Sequence, residues 1–206
     1  MEIVFISGKA QHGKDTCACH LQNILSKHGK KVLIAHYGDL LKYICRQFFG
    51  WNGEKDEAGR TLLQLVGTEV IRRKAPDYWV SFLKDILRFF PDAWDFVLIP
   101  DCRFPNEVDM IEGTHLRIVR EGFESPLTKD QQSHESEVAL DDHPYDQLIV
   151  NDRTQFELYN KCEALAMSLG WIPKSEYCAN CGDLQDKSFC KNNCLGEKCA
   201  LNGSNS

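Results

Sequence analysis

The chain has its clearest chemical signal near the amino terminus, where the second of two nearby glycines is followed directly by a lysine and then by polar residues. The run reads Gly8-Lys9-Ala10-Gln11-His12-Gly13-Lys14-Asp15-Thr16. This is the spacing of a Walker A loop, in which backbone N–H groups and the start of a helix bind phosphate oxygens. Lys14 would add a positive charge beside the β- and γ-phosphates of ATP. We therefore predict a nucleotide phosphate site built on Gly8, Gly13 and a catalytic Lys14.

Position 15 departs from the usual pattern, because an aspartate follows the lysine where Walker A loops have Ser or Thr. The hydroxyl side chain is displaced by one position, to Thr16. Either Asp15 or Thr16 could reach a magnesium ion, directly or through water. His12, inside the loop, is interpreted as a side chain that points to solvent rather than as a catalytic group.

Apolar patterns place this loop between a buried strand at residues 2–7 and a helix at residues 15–27. Further strands are predicted at 31–36, 96–100, 116–119 and 147–150, and further helices at 40–49, 61–73, 78–90 and 155–169. Strands that alternate with helices favour a central parallel sheet covered on both faces. The predicted fold class is therefore α/β. The polar, acidic segment 121–145 is interpreted as a mobile, lid-like loop.

Composition and charge restrict the partners. The 206 residues are 43% hydrophobic and 26% charged, with a net charge of -6, which is ordinary for a globular enzyme and provides no positive field for nucleic acid. There is no signal-peptide pattern, and no apolar run approaches the roughly 18 residues that a membrane span needs. We expect a cytoplasmic protein that binds neither membranes nor nucleic acid. Whether it forms a homodimer is left open.

The carboxyl-terminal residues differ in composition from the rest, since half of the ten cysteines follow Pro173. We predict a main domain at 1–172 and a small Cys-rich tail at 173–206. The spacing of the first four tail thiols suits a tetrahedral zinc site at Cys178, Cys181, Cys190 and Cys194. Cys199 could replace one of them, and a disordered tail with free thiols is the alternative.

Several further blocks follow the phosphate loop in a fixed order. They read GDLLK at 38–42, LVGTEVIR at 65–72, DYWV at 77–80, IPDCRFPNE at 99–107, IVR at 118–120, SHESE at 133–137 and IVND at 149–152. With the loop, these blocks resemble the phage-type deoxynucleoside monophosphate kinases over nearly all of residues 1–170. The resemblance implies a three-layer P-loop kinase fold, ATP as phosphoryl donor, and a deoxynucleoside monophosphate as the acceptor that becomes a diphosphate.

The resemblance also implies which residues act. Asp101 would orient magnesium or its water at the end of a central strand, and Arg103 would hold a phosphate beside it. Arg120, before the lid-like segment, would neutralise the transferring phosphoryl group. The implied substrate-binding residues are Asp39, Lys42, Arg72, Trp79, Arg103, His134 and Glu137.

Each of these residues also has a structural explanation. Asp101 could cap a helix, Arg103 could pair with Glu107, Trp79 could belong to the core, and His134 and Glu137 could be solvated loop residues. Two other functions stay open, namely another P-loop small-molecule kinase of dephospho-coenzyme A or adenylate kinase type, and a non-catalytic nucleotide-binding module. The second set of acidic and basic residues at the sheet edge favours a kinase.

Overall fold

Five parallel strands form one sheet in the part of the chain that the computed structural model describes, residues 1–54 and 56–173. They are β1 (Glu2–Ser7), β2 (Val32–Ile34), β3 (Phe96–Cys102), β4 (Thr114–Val119) and β5 (Gln147–Val150). Their order is β2-β3-β1-β4-β5, and each neighbouring pair is parallel. The predicted α/β class is confirmed. Because β1 is central, the loop that follows it lies in the middle of the carboxyl edge of the sheet.

The central strands are mostly apolar because helices cover both of their faces. Phe5, Leu98 and Ile99 are fully buried, and so are Leu116 and Ile118 on β4. Strands buried on both faces read as continuous apolar runs instead of alternating ones. This burial fixes the strand ends, and the strand ends in turn position the loops that carry the polar residues.

Helices connect the strands. They are α1 (Lys14–Lys27), α2 (Gly38–Phe49), α3 (Glu57–Gln64), a π-helix (Leu65–Arg72), α4 (Tyr78–Phe89), α5 (Pro105–Asp109), α6 (Lys129–Ser133), α7 (Glu135–Val138) and α8 (Gln155–Ser168). Within the described ranges, no helix is both long and apolar enough to cross a membrane.

The π-helix differs from the single helix that the sequence predicts over 61–73. It continues directly from α3, and Gly67 lies in it beside Leu41 of α2. A Cβ at position 67 would come within 2.6 Å of Leu41 Cδ2. The Gly67 carbonyl accepts a hydrogen bond from Trp79 Nε1 at 3.2 Å. These tertiary contacts accompany the wider turn, which is a rare geometry that often occurs at functional sites.

The segment 121–145 has more structure than its sequence suggests. Thr128 and Gln131 form a capping box at the start of α6, and His134 Nδ1 accepts the Ser136 amide at the start of α7. Beyond α7, Arg117 of β4 donates to the Leu140 carbonyl at 2.6 Å. The second half of the expected lid is therefore bonded to the sheet edge.

The chain divides into two compact units, Met1–Glu163 and Ala164–Ser206. The first contains the whole sheet. The second is described only as far as residue 173 and begins with the last turn of α8. The predicted zinc ligands Cys178, Cys181, Cys190 and Cys194 lie outside the described residues.

Candidate active site

The phosphate loop joins the end of β1 to the start of α1, and its two framing glycines have no room for a side chain. Gly8 and Gly13 have φ angles of +146° and +101°, which L side chains rarely adopt. A Cβ on Gly8 would overlap the Ile118 carbonyl oxygen, and one on Gly13 would lie 2.6 Å from Asn151 Nδ2. Asn151 also donates to the His12 carbonyl at 2.9 Å. The loop is thus held from the ends of β4 and β5.

Lys14 is the first residue of α1, and its side chain folds back over the loop. It is 7% exposed, and its Nζ donates to the carbonyls of Gly8 at 2.6 Å and Lys9 at 2.8 Å. Burial, followed by the positive charge of Arg103, lowers the pKa of Lys14 to about 8. A desolvated ammonium group of this kind is stabilised when an anion binds beside it.

The candidate magnesium ligands lie next to a chain of charged side chains. Asp15 Oδ1 is 3.2 Å from His36 Nε2, and His36 Nδ1 is 3.3 Å from Asp39 Oδ2. Lys42 donates to Asp39 at 2.7 Å. The hydrogen bond with Asp15 raises the pKa of His36. The structure therefore joins the first turn of α1 to the first turn of α2.

The donor set of Asp15 and Thr16 suits magnesium, which prefers oxygen ligands and usually keeps several water molecules beside one or two protein groups and substrate phosphates. In the described part of the chain, no three or more His, Cys, Asp and Glu side chains are grouped to hold a metal ion. A cation here would need phosphate oxygens and water to complete its coordination.

Asp101 of β3 accepts two backbone hydrogen bonds from the start of α2. Its Oδ1 accepts from Tyr37 N at 3.0 Å and its Oδ2 from Gly38 N at 2.8 Å. Asp101 thus caps a helix, as the alternative explanation proposed. The helix is α2, however, and not α5, which follows Asp101 in sequence. The carboxylate adds negative charge at the positive end of the α2 dipole.

Arg103 follows β3 and contacts the SHESE block. Its Nη1 donates to the Ser136 carbonyl at 3.1 Å and forms an ion pair with Glu137. The other oxygen of Glu137 accepts from Ala10 N of the phosphate loop at 3.2 Å. Lys9, also in the loop, donates to the Glu137 carbonyl at 2.7 Å. The structure therefore brings Arg103, Glu137 and the phosphate loop together, with the Glu137 carboxylate on donors that could bind phosphate oxygens.

Arg72 ends the π-helix and is held on several sides. Its Nη2 pairs with Glu107, its Nη1 donates to Asn106 Oδ1 at 3.1 Å, and its guanidinium carbon lies 3.8 Å from the centroid of the Phe104 ring. Glu107 thus pairs with Arg72, whereas its spacing suggested a side-chain pair with Arg103. Sequence reasoning gave Glu107 no functional role, although the residue closes the IPDCRFPNE block.

Arg120 directly follows β4 and lies beside His12 of the phosphate loop. Its backbone N–H donates to His12 Nδ1 at 3.1 Å, and its guanidinium carbon is 4.5 Å from the Phe123 ring centroid. His12 is half-buried against the same ring rather than pointing freely to solvent. Burial and then the charge of Lys14 lower the pKa of His12. His12 therefore holds the chain after β4 against the phosphate loop.

Two predicted substrate-binding residues occupy less direct positions. Trp79 is 4% exposed and packs in the core cluster under β1 and β3. Its indole N–H is directed to the Gly67 carbonyl, so its placement agrees with the core explanation. His134 Nε2 lies 3.8 Å from Glu69 Oε1, which places the start of α7 beside the π-helix.

The glycine-framed loop, its lysine and the parallel sheet define a P-loop kinase fold. Residues 41–162, more than half of the chain, match the model of the deoxynucleotide monophosphate kinase family, and the chain belongs to that family. It is 31% identical over 115 residues to the deoxynucleotide monophosphate kinase of Enterobacteria phage T4, a match that covers 53% of this chain and 46% of the phage protein. The chain thus spans about half the length of this curated relative. The resemblance inferred from sequence is confirmed.

Proposed function

We propose that this protein transfers the γ-phosphoryl group of ATP to a deoxynucleoside monophosphate, releasing ADP and a deoxynucleoside diphosphate. The observation that carries the proposal is a cleft that opens beside the phosphate loop. Its lining includes Gly8 of the loop, three basic side chains (Lys9, Arg103 and Arg117), and two acidic ones, Glu137 and Asp141, that pair with them. Converging cations at the carboxyl edge of a parallel sheet suit a second phosphorylated ligand beside the donor.

The donor side of the proposed site is the loop itself. Gly8 and Gly13 allow the loop to curl so that its amides could bind the β- and γ-phosphates of ATP, and Lys14 supplies the positive charge. Asp15 and Thr16 would hold Mg²⁺, which neutralises charge on the phosphates when it is bound. Arg120, whose backbone N–H donates to His12 of the loop, would neutralise negative charge on the transferring phosphoryl group.

The acceptor side is formed by Arg72 and Arg103 for the phosphate, with Asp39 and Lys42 at the start of α2 for the nucleoside. His134 and Glu137 would close the site from the segment after β4, and Asp101 would orient the bound magnesium or its water while it holds α2. The attacking phosphate oxygen already carries negative charge, so no general base is required. Positioning and charge neutralisation can supply the catalysis.

The same cleft bears on two other possible functions. A dephospho-coenzyme A or adenylate kinase would use the same donor loop and a different acceptor, so only the choice of acceptor separates it from the proposal. A non-catalytic nucleotide-binding module needs no second group of cations. The cleft lined by Lys9, Arg103 and Arg117 therefore favours a kinase.

The test is release of ADP from ATP and Mg²⁺ in the presence of each common deoxynucleoside monophosphate, each ribonucleoside monophosphate, and dephospho-coenzyme A. We expect turnover with at least one deoxynucleoside monophosphate and formation of its diphosphate. Turnover only with dephospho-coenzyme A or AMP would move the protein to another kinase class. ATP binding without turnover of any acceptor would favour the binding module.

A further inference from the structure

Glu107 is a buried carboxylate between two arginines of the proposed acceptor site. It is 3% exposed and lies in the short helix α5, directly after the strand that carries Asp101. Burial raises its pKa to about 7, although Arg72 opposes that effect. A buried acid is costly unless donors surround it, so its partners indicate what it is placed to hold.

The two oxygens of Glu107 have different partners. Oε2 accepts from Arg103 N at 2.6 Å and Phe104 N at 3.1 Å, which satisfies two backbone amides at the start of α5. Oε1 accepts a hydrogen bond from the guanidinium of Arg72, the last residue of the π-helix. Capping alone accounts for one oxygen only, since a helix cap does not require an arginine from a distant element.

The guanidinium of Arg72 is fixed by these contacts. Glu107 holds Nη2, Asn106 holds Nη1, and the ring of Phe104 lies against one face. Its Nε is buried and has no hydrogen-bond partner among the described residues. A guanidinium held in one orientation loses little entropy when it binds a phosphate.

Glu107 also connects to the nucleoside side of the site. Its backbone carbonyl accepts the Tyr37 hydroxyl at 2.7 Å, and Tyr37 directly precedes α2 with Asp39 and Lys42. Its carboxylate fixes the backbone of Arg103, whose side chain reaches Glu137. One buried residue is therefore bonded to Arg72 of the π-helix, to the backbone of Arg103 and to the residue before α2.

We propose that Glu107 is a positioning residue for the acceptor, which orients Arg72 through its side chain and Arg103 through its backbone to receive the acceptor phosphate. This inference rests on the proposed function, because it assigns the two arginines to a deoxynucleoside monophosphate. It predicts a defect in acceptor binding and transfer that leaves the ATP site intact.

The substitution Glu107→Gln separates the two contacts. Its amide oxygen can still accept from Arg103 N and Phe104 N, while its amide nitrogen would face another donor, Arg72 Nη2. The cap of α5 is kept and the hold on Arg72 is lost. Glu157→Gln is the matched control, because Glu157 also pairs with an arginine, Arg153, and caps a helix with Thr154 on an exposed part of α8.

The experiment measures the Kd of the preferred deoxynucleoside monophosphate and the Kd of a non-hydrolysable ATP analogue separately by calorimetry, together with kcat and acceptor KM. For Glu107→Gln we expect the acceptor Kd to rise about tenfold, which corresponds to about 1.4 kcal/mol, with the ATP analogue Kd unchanged. Glu157→Gln should match the wild type in all of these quantities. In an Arg72→Ala background, Glu107→Gln should weaken acceptor binding much less, because the two residues act through one contact.

A folded Glu107→Gln protein with wild-type acceptor Kd and kcat would overturn the inference, and so would an equal loss of affinity for the ATP analogue. If this variant does not fold, Glu107→Asp takes its place. It keeps the charge but is shorter, and we expect a smaller loss of the same kind, so wild-type acceptor binding would again overturn the inference. Wild-type protein that binds a deoxynucleoside monophosphate without turning it over would remove the proposed function, yet the binding comparison would still test Glu107. A wild type that binds none would overturn both.

Discussion

The carboxylate of Glu137 forms an ion pair with the guanidinium of Arg103, and its second oxygen accepts a hydrogen bond from the phosphate-loop amide of Ala10. Backbone amides of this loop and an adjacent arginine are the groups expected to bind phosphate oxygens. Glu137 also lies close enough to affect the pKa of Lys14. A negative charge of the protein therefore interacts with three groups that a nucleotide phosphate would use.

Glu137→Gln should bind ATP more tightly, because a neutral side chain competes less for the loop amide and does not repel the triphosphate. We expect the Kd of a non-hydrolysable ATP analogue to fall about fivefold, or about 1 kcal/mol. Glu124→Gln, an exposed change in the same segment, should leave that Kd unaltered. A higher Kd in Glu137→Gln would show instead that the carboxylate organises the loop for ATP.

Lys14→Ala should lower kcat about a hundredfold or more, because it removes the charge that neutralises the transferring phosphoryl group. Lys27→Ala is the control, since Lys27 lies in the last turn of the same helix and contacts Tyr159 on the surface. Steady-state ADP release measures both variants, with circular dichroism to establish that each is folded. Retention of more than about a tenth of the wild-type rate by Lys14→Ala would contradict the phosphate-loop assignment.

The pH dependence of ATP use should reveal the ionisation of Lys14. Its pKa of about 8 lies below the ordinary value of 10.5, so the free enzyme loses this charge as the pH rises through about 8, and kcat/KM for ATP should fall there. Between pH values of about 8 and 10.5, Lys14 binds fewer protons in the folded protein than in the unfolded chain. The contribution of Lys14 to the free energy of unfolding therefore rises while activity falls.

Measurements of kcat/KM for ATP and of urea unfolding over the same pH series check this opposite behaviour. A profile that stays level up to about pH 10, the region of an ordinary lysine, would contradict it.

Gly13→Ala should abolish ATP binding, since position 13 has a φ of +101° and the new Cβ would lie 2.6 Å from Asn151 Nδ2. Gly29→Ala isolates the backbone effect. Gly29 also has positive φ, at +75°, but no atom of the described residues lies within 4 Å of the place that its new Cβ would take. We expect Gly29→Ala to cost about 1 kcal/mol of stability without changing the ATP Kd. Equal ATP affinity in both variants would show that the glycine at 13 is not required by the loop.

The tail leads to a prediction from sequence alone. If Cys178, Cys181, Cys190 and Cys194 bind zinc as their spacing suggests, protein purified under reducing conditions should contain about one zinc per chain, because four thiolates complete a structural site. Elemental analysis of the wild type and of a Cys178→Ser, Cys181→Ser variant decides the question. Metal-free wild-type protein would eliminate the zinc hypothesis.

Local patterns were sufficient to predict the phosphate loop and the two elements that it joins. The structure places β1 at Glu2–Ser7, as predicted, and α1 begins one residue earlier than predicted. An apolar run, two glycines and a helical repeat encode this unit within a short stretch, so tertiary contacts change it little. The parallel sheet could also be predicted, because strands that alternate with helices along the chain favour a parallel sheet.

The acceptor half depends on contacts between residues far apart in sequence, which spacing does not reveal. Glu107 lies four residues after Arg103, which suggested a pair between them, but its side chain binds Arg72 of the π-helix. The π-helix is likewise accompanied by tertiary contacts, the approach of Gly67 to Leu41 and the hydrogen bond from Trp79. The tryptophan that looked available for a base is one of the groups that stabilise this turn.

The hydrogen bonds from Tyr37 N and Gly38 N to Asp101 affect how any change at position 101 should be interpreted. The same carboxylate that faces the phosphate edge holds the first turn of α2, and with it Asp39 and Lys42. Removing the carboxylate would release the start of α2, which carries the proposed nucleoside-binding residues, as well as any magnesium-bound water that Asp101 orients. A loss of activity on substitution of Asp101 therefore does not by itself identify a metal ligand. The proposed donor and acceptor halves of the site both depend on this one carboxylate.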